Sequence, residues 1–267
     1  MVIWGKMLVF VSSVGRSGTR YLSELVSHVS GVRGHHVPKP HCTGKVLIDY
    51  NNYKDNASLA IKRETVKKSI KGKKYFESSQ LFLRCFVEEI FKLRKETNIP
   101  LGVIHLTRDP LECARSYTNR NSIPGRPGCV WRLPPGVQKN FLKIAEDLTP
   151  YQKNLWDWLE NEIRYHHYKS QFDKTYDMYF TDLNSVDKLK EMFNFFDIRV
   201  DQDKLANEIF KKRLNRNSNK MKTVVSQQDI KEAKQLVHSL KDRDTKNIFN
   251  DSYYKKYEIL NGLRGES

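Results

Sequence analysis

The sequence predicts an α/β fold: a central parallel sheet flanked by helices, followed by a helical C-terminal part. Three observations lead there. Strand-like stretches recur at Leu8–Val11, Lys74–Ser79 and Leu101–Leu106, each too short for a helix and each followed by a segment with helical spacing. The connections from run to helix are short, as strand–helix–strand crossovers require. No internal repeat or linker of distinct composition divides the chain. The 267 residues are therefore expected to form one domain, with a core over about 7–200 and a basic helical part over about 201–267.

Each element has its own signal. The first run breaks at Gly15 and continues with Leu22, Leu25 and Val26 at helical spacing, which predicts a strand, a tight loop and a helix over 18–29. Residues 31–42 are dense in Gly, Pro and His and predict an irregular loop. A short strand is expected over 45–49, a polar turn over 51–56 and a basic helix over 58–70. Lys74 to Ser79 reads as a strand ending in hydroxyls. Residues 81–95 read as an amphipathic helix with Leu81, Cys85, Ile90 and Leu93 inward.

Leu101 to Leu106 is a strand, after which Asp109 as cap and Pro110 in the first turn start a helix to about Asn119. Residues 121–136, rich in Pro, Gly and Arg, predict a long loop. Helices over 137–147 and 150–171, a strand over 175–180 and a helix over 186–196 follow. The rest reads as helical and basic, interrupted at Asn215–Lys220.

Charged residues make up 29% of the chain and hydrophobic residues 39%, a balance that excludes a disordered chain. The formal charge of +16 favours polyanionic partners such as nucleotides, nucleic acid, acidic glycans or an anionic membrane surface. The apolar run Met7–Val11 is far too short to cross a bilayer, so no membrane span is expected. The four cysteines, Cys42, Cys85, Cys113 and Cys129, show no C-x-x-C spacing. With no secretory leader in view, they predict reduced thiols in a cytoplasmic protein.

Two motifs carry chemistry. In Val14-Gly15-Arg16-Ser17-Gly18-Thr19-Arg20 a glycine loop opens a helix, and brings backbone N–H groups, two hydroxyls and a guanidinium to a helix N-terminus. Such a place holds an anion, usually a phosphate. The triphosphate fingerprint G-x-x-x-x-G-K-[ST] is absent, because Arg20 follows Thr19 where a Lys would precede a hydroxyl. In the second motif, Arg108-Asp109-Pro110 ends a strand and Ser116 lies two turns into the next helix. An arginine and a hydroxyl converging there suit a second, separate phosphate. For Arg108 alone, an ion pair with Asp109 or Glu112 is the simpler expectation.

Taken together, the motifs resemble those of the sulfotransferases that use 3′-phosphoadenosine-5′-phosphosulfate (PAPS). Residues 14–19 resemble the family's 5′-phosphosulfate loop, usually P-R-S-G-T-T. Arg108, Pro110 and Ser116 resemble its 3′-phosphate motif, R-x-P with a Ser six residues after the Pro. Tyr179-Phe180-Thr181-Asp182-Leu183 and Asn215–Lys222 match later segments more weakly, so the resemblance spans about 7–222.

The resemblance implies a single domain of the phosphate-loop, nucleotide-kinase-like type. Gly15, Arg16, Ser17, Gly18, Thr19 and Arg20 would hold the 5′ end of the donor, Arg108 and Ser116 the 3′-phosphate, and Asn217 and Ser218 would belong to a loop closing over the nucleotide. PAPS is then the donor and adenosine 3′,5′-bisphosphate (PAP) the product, with no metal required because arginine and backbone dipoles replace Mg²⁺. Arg16 would stabilise the bridging oxygen as it becomes a phosphate anion. The partners implied are the nucleotide donor and a hydroxyl acceptor, a glycan first, with no specific nucleic acid.

Members of the family take the acceptor's proton on a Glu or His in the loop after the first helix. Here that loop offers His36 first and His35 second, since imidazole titrates near neutral pH. Either histidine could equally cap or pack within the loop. A zinc site from His35, His36, His41 and Cys42 matches no common spacing. The lysine that some relatives carry after a later strand has no match, because Glu77-Ser78-Ser79-Gln80 stands there and Lys73 and Lys74 precede the strand's end.

Ser78 reads as a helix cap or a contact to the leaving group, Glu162 and His166 as a pair one turn apart, and Trp156 and Trp158 as core. The basic C-terminal part reads as a solvated face or a track for an acidic acceptor. Two rival functions stand beside this one: a phosphate-loop kinase of a nucleotide or small molecule, for which magnesium dependence is diagnostic, and a basic nucleic-acid-binding protein, which predicts salt-sensitive binding but lacks an aromatic-rich basic strand.

Overall fold

The computed structural model describes residues 6–27, 29, 31–70, 73–144, 147–201, 203, 205–207 and 224–240. Its centre is a five-stranded sheet, all parallel, in the order β2-β3-β1-β4-β5. The strands are β1 (Leu8–Ser12), β2 (Val32–His36), β3 (Lys74–Ser78), β4 (Leu101–Thr107) and β5 (Lys174–Tyr179). The helices are α1 (Thr19–Ser27), α2 (Lys45–Asn51), α3 (Ala57–Ser69), α4 (Val87–Thr97), α5 (Pro110–Thr118), α6 (Pro150–Tyr168), α7 (Val186–Phe195) and, last among the described residues, α8 (Gln227–Ser239).

β1 and β4 are buried along their whole lengths, which is why they read as continuous apolar runs rather than alternating ones. Helices cover both faces. On one, Val9, Val11 and Ile104 meet Leu22, Leu25 and Val26 of α1 and Leu189, Met192 and Phe193 of α7. On the other, Leu8, Phe10 and Val103 meet side chains of α2 to α6 and of α8. The chain runs outward from β1 to β2, fills in β3, then crosses to β4 on the other side of β1. The order reverses between β1 and β4, and in open α/β sheets the crevice beyond the carboxyl ends of such strands is where ligands bind.

The structure corrects three expected elements. Residues 32–36 form strand β2 rather than loop, pairing in register with β3 (His35 opposite Glu77, His36 opposite Ser78). An edge strand buried on neither side lacks the apolar pattern that announces a core strand. Gly34 lies against Val26, where a Cβ would come within 3.0 Å of a methyl group, so this glycine serves close packing and not a turn.

Residues 45–51 form helix α2 instead of a strand. A three-residue apolar run (Val46-Leu47-Ile48) is ambiguous by period, and here the Lys45–Asp49 pair (2.7 Å) and the Asn51 amide donating to Leu47 O (2.8 Å) and Arg84 O (2.7 Å) fix the helical choice. Residues 137–144 form turns, not a helix. The N–H groups of Phe141 and Leu142 donate to the Glu160 carboxylate (3.2 and 2.9 Å), and Lys139 N–H donates to Asn51 O (2.8 Å), so tertiary acceptors replace the helical ones.

Smaller differences follow the same logic. The segment after β3 opens with a π-helical turn over Phe82–Phe86 before α4, and Leu81, Cys85, Ile90 and Leu93 are all buried as expected. Trp156 and Trp158 are core. Asn215–Lys222, with Asn217 and Ser218, lies outside the described residues.

Candidate active site

The loop from β1 to α1 is built from left-handed backbone. Gly15 (φ 78°), Arg16 (φ 54°) and Gly18 (φ 87°) all have positive φ. For a residue with a Cβ such as Arg16 this conformation costs on the order of 1 kcal/mol or more and is typically kept where function demands it. At Gly15 the space is also closed: a Cβ there would strike the Tyr117 hydroxyl and the Gln80 amide. The first helical bond of α1 runs from Leu22 N–H to Gly18 O (2.9 Å), so the N–H groups just before it have no intrahelical acceptor. They are the donors an anion at this loop would use.

Side chains brace the loop from below. Ser17 is fully buried and its hydroxyl donates to Gly15 O (3.1 Å), a bond that braces the loop. The Tyr117 hydroxyl donates to Val14 O and lies 3.1 Å from Gln80 Oε1, and its ring carries the Arg132 guanidinium at 3.4 Å. Arg132 and Arg84 in turn share one oxygen of Asp157 (2.9 and 2.8 Å), all three buried. Thr19 O accepts from the Ser78 hydroxyl (2.6 Å), which ties α1 to β3. Ser78 is therefore no helix cap; that bond comes from Ser79, which accepts from Leu81 N–H (3.2 Å).

The two predicted phosphate motifs meet. Arg108, leaving β4, donates from Nη1 to Arg16 O (3.2 Å), and Arg16 Nε donates to Ser116 Oγ of α5 (3.3 Å). The Arg16 guanidinium thus reaches across to Ser116 rather than standing over its own loop. Arg108 also pairs with Glu112 through Nε (3.2 Å) and Nη2 (2.9 Å) and lies over the Phe180 ring at 5.1 Å. The ion pair expected of an isolated R-D-P is therefore present alongside the contact to the loop. Asp109 is spent on the cap, accepting from Glu112 N–H (2.9 Å). Burial, then the charges of Arg120 and Arg108, lower the Arg16 pKa from its ordinary value. Such crowding of like charge is what an anion would relieve. Arg20 is exposed and paired with Glu24 (3.1 Å).

No family profile matches the sequence, and neither does any curated protein. Among solved structures, the sulfotransferase domain from the curacin biosynthetic pathway is similar at 12% identity, covering 87% of this chain and 97% of its own, with a TM-score of 0.47. Mouse sulfotransferase SULT7A1 complexed with PAP is similar at 13% identity, covering 98% of this chain and 89% of its own, with a TM-score of 0.49. Both are sulfotransferases.

The two candidate histidines occupy opposite faces of β2. His36 shares a face with Ser78, the side covered by α1, and its Nδ1 contacts Ser78 O at 2.9 Å. A carbonyl only accepts, so Nδ1 carries the proton and Nε2 keeps its lone pair. Burial lowers the His36 pKa, against the hydrogen bond to Ser78, so the neutral base form persists below the ordinary titration range. His35 turns to the other face and lies beside Tyr75 (ring centroids 5.2 Å apart), near the buried Lys62–Glu77 pair (2.8 Å). His41 Nδ1 contacts Val37 O (3.1 Å) and its ring lies 5.6 Å from Trp131, and among the described residues no group of three His, Cys, Asp or Glu is placed to hold a metal.

Sequence reasoning missed a second charged cluster under the sheet. His105 Nε2 meets Glu162 (3.0 Å), Nδ1 meets Asp177 (3.1 Å), and the ring stacks on Tyr165 at 3.8 Å. Glu162 thus faces His105 rather than being confined to the expected turn-spaced pair with His166. Burial alone would lower the His105 pKa, but Glu162 and Asp177 outweigh it and raise the value. No sequence spacing joins positions 105, 162 and 177. The register that sets His105 opposite Asp177 is the missing information.

Proposed function

We propose that this chain is a PAPS-dependent sulfotransferase that moves a sulfuryl group to an acceptor hydroxyl, on a carbohydrate in the first instance. The observation that carries the reading is the link Arg108–Arg16–Ser116, by which two anion-binding motifs 92 and 100 residues apart in sequence come within one hydrogen bond of each other. That spacing suits one nucleotide phosphorylated at both ends better than two unrelated anions. The left-handed loop, which opens α1 with N–H groups that have no intrahelical acceptor, fits the close approach of a phosphate.

In this reading Gly15, Arg16, Gly18 and Thr19 hold the 5′ end through the loop's N–H groups, with Ser17 bracing it. Arg108 and Ser116 hold the 3′-phosphate, and the Arg16 guanidinium lies between the two. The bound donor supplies an activated sulfuryl group. Preorganised N–H groups and Arg16 counter the charge that grows on the 5′-phosphate oxygen as the sulfuryl group departs, with no reorganisation at that moment. His36 Nε2 takes the acceptor's proton. The Asn217 and Ser218 contact remains part of the proposal by resemblance alone. The chain's +16 charge supports an acidic glycan as acceptor.

The test is a transfer screen with sulfate-labelled PAPS over glycans, tyrosyl peptides and phenols, run with and without excess chelator. Label on a glycan hydroxyl, insensitive to chelator, is the expected result. Transfer to no acceptor class, or activity abolished by chelation and restored by Mg²⁺ with ATP as donor, would hand the site to the kinase alternative.

A further inference from the structure

Two loops flank the site on the side away from the donor motifs. The first, residues 37–44, leaves β2 directly after His36. It folds back on itself: His41 Nδ1 donates to Val37 O (3.1 Å), and Val37 and Cys42 both take left-handed backbone (φ 47° and 50°). The second, residues 121–136, follows α5 and is held at both ends by Tyr117. Ser122 N–H donates to Tyr117 O (3.1 Å), and the Arg132 guanidinium stacks on the Tyr117 ring at 3.4 Å.

The loops meet at Trp131. Val130 O accepts from Gly44 N–H (2.8 Å), and the Trp131 ring lies 5.6 Å from the His41 ring, tilted by 57°. Trp131 is only half-buried, whereas Trp156 and Trp158 are core, and its neighbours His41 and Val130 are exposed. The seam thus runs from the residue after the candidate base, through His41 and Trp131, to the tyrosine beneath the donor loop. An acceptor that reaches both His36 and the donor loop is bounded by this seam.

Charge along the seam is one-sided. The chain has 31 acidic residues, yet none occurs between Glu24 and Asp49 or between Glu112 and Glu146, the two stretches that contain these loops. The loops themselves add Lys39 and Arg126, both exposed. An indole offers a large flat apolar face, and small-molecule sites combine such faces with a few placed charges. A ring face beside an acid-free rim fits a ring that carries a negative substituent.

We propose that Trp131, backed by His41, is the acceptor platform: it takes the face of a sugar ring that bears a carboxylate, and the acid-free loops around it favour that charge. This rests on the sulfotransferase reading for the reaction, and adds the residue that selects the acceptor. Trp131 touches neither the donor nor the reacting atoms, so its effect falls on acceptor binding.

The experiment is calorimetric titration of the full chain, first with PAP. The PAP-saturated protein is then titrated with an unsulfated tetrasaccharide of alternating N-acetylglucosamine and glucuronate, or with its carboxyl-reduced counterpart. The acidic tetrasaccharide should bind about tenfold or more tightly than the reduced one, since charge-assisted contacts go with the carboxylates. Trp131→Ala should weaken the acidic tetrasaccharide about tenfold or more, as loss of a central tryptophan does. Trp131→Phe, which keeps an aromatic face, should stay within about threefold of the parent. Both variants should bind PAP as the parent does, and thermal melts confirm their fold. Binding of neither tetrasaccharide, equal affinity for the two, parent-like affinity in Trp131→Ala, or a matching loss of PAP affinity overturns the assignment and leaves the broader reading standing. A parent that does not bind PAP overturns both.

Discussion

Replacing Arg108 with alanine isolates the second motif from the first. A guanidinium has five N–H donors. Among the described residues three are engaged: Nη1 with Arg16 O (3.2 Å), and Nε and Nη2 with Glu112 (3.2 and 2.9 Å). Two remain, which is what a phosphate oxygen pair requires. The Glu112 pair is exposed and of i,i+4 type, worth about 0.3–0.5 kcal/mol, so its loss barely touches stability.

The contact to Arg16 O is partly buried and supports the left-handed loop, and a bond of this charge-assisted kind is worth about 1.5–3 kcal/mol. Loss of the phosphate contact is of similar size, so Arg108→Ala should weaken bisphosphate binding by at least about 2 kcal/mol, or roughly thirtyfold. Glu112→Gln is the control. It frees the Arg108 fork and removes a negative charge near the ligand, so affinity should stay level or rise. Titration calorimetry reads both variants, with thermal melts to confirm the fold. Bisphosphate affinity within twofold of the parent in Arg108→Ala, or a large loss in Glu112→Gln, would refute the reasoning.

Further predictions test other parts of the site. His36→Ala should lower turnover by about 10²-fold or more with donor affinity little changed; steady-state kinetics check this, and unchanged turnover removes His36 as the base. Because burial depresses its pKa, the acid limb of the parent's kcat/KM profile should have its midpoint below the ordinary histidine value of about 6.5. Gly15→Ala should reduce bisphosphate binding about tenfold or more, since the left-handed backbone and the collision with Tyr117 and Gln80 act together; parent-like affinity in a titration would mean the loop is not held as described.

The His105 cluster gives a stability test with a definite sign. Its folded pKa is raised, so the ion-pair contribution is full below about pH 6.5 and is lost as pH rises through the folded value. His105→Gln removes a charged partner from the buried Glu162 and should cost about 3–5 kcal/mol near pH 6, with the gap to the parent narrowing at alkaline pH. Urea denaturation at both pH values measures it, and a gap independent of pH would show that His105 is not charged in the native state.

Much of the fold was legible because its central strands are buried on both faces. Leu8–Ser12 and Leu101–Thr107 have no solvent-facing side to break the pattern, and Asp109-Pro110 and Gly15 mark the turns that follow. The failures share a cause. β2 is an edge strand whose hydrogen bonds to β3 decide its state, α2 is decided by Asn51 reaching Arg84 O, and residues 137–144 are decided by Glu160. All are long-range acceptors invisible to local propensity.

The site divides the same way. Arg16, Arg108 and Ser116 could be read from loop and helix signatures, but Tyr117, Arg132 and Asp157 support the loop through contacts that only tertiary structure supplies.

The central claim is that one nucleotide is gripped at both ends, and calorimetry of the unmodified chain with PAP tests it most directly. The account predicts a saturable, exothermic titration with one site per chain that weakens both in Arg108→Ala and in Gly15→Ala. No heat at any attainable concentration, or binding that neither substitution alters, would contradict it.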